Sequence, residues 1–206
     1  MTEERGRISL KSVLYTAIAA SFAAFGLMTA WIATHRGLRA RYLDGQYLVL
    51  VRYPGQWYEL REFIQPDDPD VIAIYHEVGP DVWGCVDWVC RNISFCEDIV
   101  EWWRFPAETI NRGSGDCEDS AFLACSLLRN FTNAHVVLGS VEGYGHAWCQ
   151  VDGVILDTTY TSAGPVPNPE NYRPYVLFNE EEVIELWPEA LREVFELGRD
   201  ESTKLN

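Results

Sequence analysis

The stretch Gly115-Asp116-Cys117-Glu118-Asp119-Ser120 decides the fold, because a glycine-rich loop runs here into a helical pattern. Apolar residues follow at helical spacing up to Arg129, namely Ala121, Phe122, Ala124, Cys125, Leu127 and Leu128. This spacing predicts a helix whose first turn carries Cys117, with Asp116 or Ser114 as its N-cap. A helix N-terminus favours a thiolate, the nucleophilic form of cysteine, whereas the three flanking carboxylates oppose it.

A cysteine nucleophile also needs a base and a group that orients the base, and a predicted hairpin supplies both. Asp152-Gly153 between two apolar runs is a strong signal for a two-residue turn. We expect strands at residues 134–141, 146–151 and 154–157. Because side chains alternate faces along a strand, one face then carries His146, Trp148, Asp157 and Thr159.

On that face His146 and Asp157 are diagonal neighbours within side-chain reach. A helix that presents Cys117 against the same face would complete a Cys-His-Asp triad. In this hypothesis His146 takes the thiol proton or stabilises the thiolate as an ion pair, and Asp157 holds the imidazole in one tautomer. Each residue alone has an ordinary structural explanation, so the hypothesis depends on their combined spacing.

Five segments are predicted along the chain. Residues 1–12 are a short polar N-terminus, 13–33 a transmembrane helix, 34–69 a spacer and lead-in, 70–178 the catalytic domain, and 179–206 an acidic helical tail. The uncharged run of the second segment is long enough to cross a bilayer. A cleaved signal peptide and a buried soluble helix are the alternatives. We expect a single-pass membrane protein with an extracytoplasmic catalytic domain, although the charges flanking the run are balanced.

Further elements follow from periodicity and turn signals. A short strand is expected at residues 47–51, a turn or short helix at 97–103, and helical pieces at 70–77, 82–93, 106–110, 180–186 and 188–197.

The formal charge and the cysteines limit the possible partners. The chain carries a net charge of −15, and residues 42–206 hold 29 Asp or Glu against ten Lys or Arg. Such a surface repels nucleic-acid phosphates, so we expect no nucleic-acid partner. The six cysteines form no Cys-x-x-Cys pair and match no common zinc template. Cys125 and Cys149 are expected to be buried in the core.

Asp116, Glu118 and Asp119 could bind a hard cation such as calcium through their oxygen atoms. Helix capping and local hydrogen bonds are the favoured explanation of these acids, so no cofactor and no metal is predicted.

Three motifs resemble the transglutaminase-like superfamily, namely Gly115 to Ala121, Gly145 to Trp148 and Leu156 to Thr159. The segment that begins at Trp103 is similar to the approach segment of microbial members. The resemblance covers about residues 81–160. It implies an α+β, papain-like core in which a helix with the cysteine packs on an antiparallel sheet with the histidine and the aspartate. It also implies that Cys117 is the nucleophile, His146 the base and Asp157 the orienting residue.

The resemblance leaves the reaction open, because the superfamily includes crosslinking acyltransferases, cysteine peptidases, deglycosylating amidases and inactive members. A calcium-dependent bacterial proteinase branch has a similar Asp-Cys-Glu-Asp run, but Ala-Trp after His146 departs from its pattern. The Cys117 N–H is the natural first oxyanion donor, and Trp103 is a candidate for the second.

We expect a membrane-anchored thiol hydrolase that cleaves an amide or peptide bond in a protein or peptide substrate through a Cys117 acyl-enzyme. Protein-glutamine acyl transfer is the near alternative. A non-catalytic binding module on the same scaffold and a cell-envelope structural protein with bridged cysteines are further ones.

Overall fold

The structure, a computed structural model, describes residues 39–197. The predicted polar N-terminus at 1–12, the predicted membrane helix at 13–33 and the end of the acidic tail lie outside these residues. Within the described part of the chain, no helix is both long and apolar enough to span a bilayer. The membrane anchor therefore stays a prediction.

A small antiparallel sheet begins the described chain. It contains β1 (Ala40–Leu43), β2 (Gln46–Val49) and β3 (Tyr58–Glu59), in that spatial order, and a 3-10 helix follows at Leu60–Phe63. The strand expected at residues 47–51 is thus found as β2. Val49 and Phe63 are fully buried in the main core, so this segment packs with the rest of the described chain.

Three helices and one short strand come next: α1 (Pro69–Val78), α2 (Val82–Asn92), β4 (Ser94–Phe95) and α3 (Pro106–Arg112). Asp81 caps α2, as its position before the apolar pattern predicts, by accepting a hydrogen bond from the Trp83 N–H. Residues 97–103 form an irregular segment instead of a helix. The predicted helical pieces at 70–77, 82–93 and 106–110 are confirmed.

The central element is α4 (Cys117–Leu128), which follows the short strand β5 (Ser114–Gly115). All residues from Asp119 to Leu128 are buried, since α1, α2 and α3 cover one side of α4 and a sheet covers the other. β5 pairs in parallel with β4, and this pairing fixes the loop in front of Cys117.

The large sheet consists of β6 (His135–Val141), β7 (Tyr144–Val151), β8 (Val154–Leu156), β9 (Tyr172–Phe178) and β10 (Val183–Glu185). Its spatial order is β10-β9-β6-β7-β8, and all neighbouring strands are antiparallel.

The hairpin between β7 and β8 has the predicted register. Val151 faces Val154, and Cys149 faces Leu156. Asp152 and Gly153 both have positive φ values, 49° and 81°, as a type I′ turn requires. The sequence therefore predicted correctly which side chains share a face of this hairpin.

One prediction in this region is wrong, because residues 180–186 form no helix. The side chain of Asn179 accepts hydrogen bonds from the N–H groups of Glu181 and Glu182, which turns the chain back on itself. β10 then pairs with the end of β9. The helix predicted at 188–197 is found as α5 (Ala190–Leu197), and its apolar side joins the core.

The described residues form an α+β fold in which the helix that begins with Cys117 packs on an antiparallel sheet. This arrangement fits the papain-like core that the sequence implies.

Gly139 of β6 lies opposite His146 of β7 in the sheet, at a position with no room for a side chain. A Cβ atom at Gly139 would collide with the backbone carbonyl oxygen of Arg173 and lie 2.7 Å from the Trp148 ring. Gly139→Ala should therefore lower the free energy of unfolding by about 1–3 kcal/mol in a denaturant titration. Gly164→Ala, where a Cβ atom meets nothing within 4 Å, is the control. Equal stability of the two variants would contradict this packing.

Candidate active site

Cys117 is the first residue of α4, where the sequence predicts it. Asp116 is the N-cap and accepts a hydrogen bond from the Asp119 N–H. Gly115 makes this turn possible, because a Cβ atom there would lie only 2.6 Å from Cβ of Asp119. Cys117 is partly exposed and lines a cavity of about 400 Å³. The local sequence therefore places the thiol at the mouth of a pocket.

A buried ion pair holds residues 98–105, the approach segment, against α4. The fully buried Asp119 accepts hydrogen bonds from the Arg104 backbone N–H, at 2.7 Å, and from its guanidinium, at 2.5 Å. The same guanidinium donates to both carboxylate oxygens of Asp98, at 2.9 and 3.1 Å. Arg104 thus connects residues 98–105 to the turn of α4 that follows Cys117.

Arg104→Met should destabilise the protein by about 3–5 kcal/mol, because it leaves the buried Asp119 carboxylate without its positively charged partner. The measurement is the free energy of unfolding in urea. Arg91→Met is the matched control, since Arg91 also pairs with an aspartate, Asp87, but on an exposed part of α2. A similar loss of stability in both variants would show that the buried pair has no special role.

His146 and Asp157 are brought together as the hairpin register predicts. The His146 Nε2 atom lies 2.8 Å from the Asp157 Oδ2 atom. An ionised carboxylate only accepts hydrogen bonds, so Nε2 carries the proton and Nδ1 is the basic nitrogen. The ring of Trp148 lies beside the imidazole, with 6.1 Å between ring centroids. His146 itself lines the cavity of Cys117.

Two further residues, Thr159 and Tyr172, complete the environment of Asp157. The Tyr172 hydroxyl donates to Oδ2 at 2.7 Å, and the N–H and hydroxyl of Thr159 donate to Oδ1 at 2.9 and 2.6 Å. Burial raises the pKa of Asp157, but the hydrogen bonds from His146 and Thr159 outweigh it, so this pKa lies below its ordinary value. The carboxylate is therefore charged and fixed in orientation.

Strand parity predicts that Thr159, two residues after Asp157, lies on the same face, whereas Tyr172 was not expected there. Tyr172 follows a proline-rich loop, and no local signal indicates that its hydroxyl reaches the site. It arrives there because β9 pairs with β6, on the side of β6 opposite to β7.

The thiol of Cys117 makes a different contact from the one the sequence predicts. Its Sγ atom donates to the Glu118 carboxylate at 3.0 Å, and the described residues contain no Cys117–His146 hydrogen bond. The helix α4 packs on the sheet face that carries Ala147 and Cys149, not on the face of His146. Cys117 and His146 therefore share a cavity at the edge of the sheet, without direct hydrogen bonding.

The electrostatics of the cavity favour the protonated thiol. Burial raises the pKa of Cys117 well above its ordinary value, and the charge of Glu118 raises it further. The nearby backbone N–H of Ala147 opposes this rise. Burial and Asp119 raise the pKa of Asp116 to about 7. Burial and the carboxylates around Cys117 together thus outweigh the favourable dipole of the helix N-terminus.

The Cys117 thiol should react with iodoacetamide with a midpoint above the ordinary cysteine pKa of about 8.5. Glu118→Gln removes a negative charge beside the thiol and should shift this midpoint to lower pH. The rate at Cys117 is followed by peptide mass spectrometry from pH 6 to pH 10. Glu77→Gln, an exposed acid of α1 that does not line the cavity, should leave the midpoint unchanged. An unshifted midpoint in Glu118→Gln would show that Glu118 does not raise the pKa of Cys117.

Within the described residues, Asp98, Asp116 and Asp119 form an acidic group with carboxylate oxygens within 4.8 Å of one another. The guanidinium of Arg104 hydrogen-bonds two of its three members and so supplies positive charge. Glu118, which the sequence grouped with Asp116 and Asp119, instead faces the Cys117 thiol. All six cysteines are free, and Cys125 and Cys149 are buried, as expected.

No protein-family model and no curated protein matches this chain. Among solved structures, this chain is similar to LapG of Legionella pneumophila in an EGTA-treated form. The match covers 61% of this chain and 88% of the LapG chain, at 16% sequence identity and a TM-score of 0.45. The match to calcium-bound LapG covers 65% of this chain and 98% of the LapG chain, at 15% sequence identity and a TM-score of 0.40.

A putative cysteine protease from Cytophaga hutchinsonii matches 60% of this chain at 17% identity and a TM-score of 0.45. This chain covers 48% of that protein.

Proposed function

We propose that this protein is a thiol hydrolase that cleaves an amide or peptide bond through an acyl-enzyme on Cys117. The observation that carries the proposal is the hydrogen bond between His146 and Asp157. It leaves His146 with a basic nitrogen, and His146 lines the same cavity as Cys117 at the N-terminus of α4. A nucleophile, a base and a group that orients the base are the components that acyl transfer requires.

In the proposed reaction the thiol starts protonated. His146 takes the proton through Nδ1 as the sulfur attacks the carbonyl carbon, and Asp157 stabilises the imidazolium that forms. The backbone N–H of Cys117 donates to the oxyanion. His146 then returns the proton to the leaving amine as the amide bond breaks. Water attacks the acyl-enzyme with His146 as general base and releases the free thiol.

General-base catalysis agrees better with this cavity than a preformed thiolate–imidazolium pair does. Glu118 occupies the hydrogen bond of the Cys117 thiol, and its charge disfavours a resting thiolate. Trp103 lines the cavity, but its indole N–H donates to Glu101 at 2.7 Å. Trp103 is therefore no free second oxyanion donor in this state.

We further propose a protein or peptide substrate and a membrane anchor at residues 13–33, with the catalytic domain outside the cytoplasm. Acyl transfer to an amine differs from hydrolysis only in the group that attacks the acyl-enzyme. Mass spectra of the products, with and without an added primary amine, distinguish the two reactions.

Cleavage of a proteome-derived peptide library by the full-length protein tests the proposal. Cys117→Ala and His146→Ala should each lower the rate at least about a thousandfold, because nucleophile and base act as a unit. Asp157→Asn should lower it as well, since the amide favours the wrong tautomer of His146.

His135→Ala is the matched control, because His135 also pairs with a carboxylate, Glu182, at 3.0 Å, but outside the cavity. It should retain the activity of the wild type. Equal cleavage by wild type and Cys117→Ala would refute the hydrolase. Labelling of Cys117 without any cleavage would favour the non-catalytic binding module.

A further inference from the structure

The cavity that Cys117 and His146 share is acidic. Five of its lining residues carry carboxylates: Glu97, Asp98, Glu101, Asp116 and Glu118. A neutral peptide requires no such charge next to the scissile bond. The distribution of these charges therefore carries information about the substrate.

Two of the five carboxylates have partners with positive charge. Asp98 is paired with Arg104, and Glu101 lies 3.0 Å from the guanidinium of Arg39. Both arginines are thereby engaged. The remaining three acids of the cavity have no positively charged partner among the described residues.

Glu97, Asp116 and Glu118 have no ion-pair partner among residues 39–197. Glu97 is exposed at the rim and makes no side-chain hydrogen bond there. Glu118 accepts its hydrogen bond from the Cys117 thiol, and Asp116 caps α4. Two acids without a positively charged partner therefore lie beside the reacting sulfur, and a third lies at the entrance. Burial raises the pKa of Glu118 well above its ordinary value and that of Asp116 to about 7, so a cation in the cavity would favour the charged forms of both.

The other walls of the cavity are apolar and include Phe95, Leu138, Val194 and Phe195. Apolar walls of low dielectric constant concentrate the field of the uncompensated carboxylates on the cavity. An apolar channel with carboxylates suits a side chain that combines an aliphatic stem with a cationic end. Among peptide side chains, those of lysine and arginine have this form.

We propose that this cavity binds the lysine or arginine side chain of a peptide substrate next to the scissile carbonyl, and that Glu97 and Glu118 select for its positive charge. The inference rests on the hydrolase function proposed above and names the substrate class of that site.

The same contact would link binding to reactivity. A cation beside Glu118 would favour negative charge at this end of the cavity, on the carboxylate and on the Cys117 sulfur, so transfer of the thiol proton to His146 becomes easier when the substrate is bound. A neutral substrate leaves that charge uncompensated. Selection for a cation and activation of the nucleophile then have one physical cause.

The charge of the cavity can be measured without turnover, by modifying Cys117 with two methanethiosulfonates of similar size. One reagent carries a trimethylammonium group and the other a sulfonate group. The full-length protein carries Cys96→Ser, because Cys96 is the other cysteine that is not buried. The ratio of the two modification rates, cationic over anionic reagent, should be about tenfold higher for Cys117 than for free cysteine.

Glu97→Gln and Glu118→Gln should each reduce this preference about threefold. A changed thiol pKa affects both reagents alike and cancels in the ratio of their rates. Glu77→Gln should leave the ratio unchanged. A ratio in the wild type equal to that of free cysteine, or equal effects of all three variants, would overturn the proposal.

Protection of Cys117 from iodoacetamide tests the ligand itself. N-acetyl-lysine methylamide should protect at about tenfold lower concentration than its neutral isostere, N-acetyl-norleucine methylamide. n-Butylamine shows whether a free amine alone suffices; protection by butylamine equal to that by the lysine compound would overturn the assignment to a peptide side chain. Equal protection by the lysine and norleucine compounds would also overturn the proposal.

The two proposals fail in different ways. A protein that binds the lysine compound but cleaves no peptide in the library would retain the ligand class and refute the hydrolase. A protein that cleaves library peptides with no preference for lysine or arginine near the scissile bond would retain the hydrolase and refute the cationic substrate.

Discussion

The buried ion pair between Arg104 and Asp119 is the interaction on which the rest of the site depends. It fixes an irregular segment, residues 98–105, against the first turn of α4. That segment brings Asp98, Glu101 and Trp103 to the cavity, while α4 brings Cys117. Because Asp119 is completely buried, its charge is stable there only with a partner in good geometry. The shape of the pocket and the position of the thiol are thus fixed by the same contact.

A second constraint acts on His146. The carboxylate of Asp157 accepts hydrogen bonds from three side chains and one backbone N–H group, which leaves it no alternative orientation. His146 is held by this carboxylate on one ring nitrogen and flanked by the rings of Trp148 and Tyr172. His146 and Asp157 are therefore fixed in orientation, whereas the thiol of Cys117 has a single side-chain hydrogen bond, to Glu118.

The site combines favourable geometry with an unfavourable charge around the nucleophile. The N-terminus of α4 would stabilise a thiolate at Cys117, but burial, the hydrogen-bonded Glu118 and Asp116 all raise the pKa of this thiol. In a partly buried cavity such neighbouring charges outweigh a helix dipole, which amounts to about half a charge. The proposals of a general-base mechanism and of a cationic substrate both rest on this arrangement.

The sequence predicts much of this molecule wherever one stretch of chain contains all the partners. The start of α4 at Cys117, the cap by Asp116 and the register that pairs His146 with Asp157 follow from capping, turn chemistry and the two-residue period of strands. The same local reasoning fails at residues 180–186, where Asn179 forms a turn and β9 supplies a partner strand for β10.

Only the tertiary structure decided which distant groups meet. Tyr172 reaches Asp157 through the pairing of β9 with β6, and Arg104 reaches Asp119 across the approach segment. The tertiary structure also placed α4 on the sheet face opposite to His146, so that Glu118 and not the imidazole receives the thiol hydrogen bond. Sequence periodicity fixes the face on which a side chain lies, because that depends on backbone geometry alone. The element that covers the face depends on how all the apolar surfaces pack together.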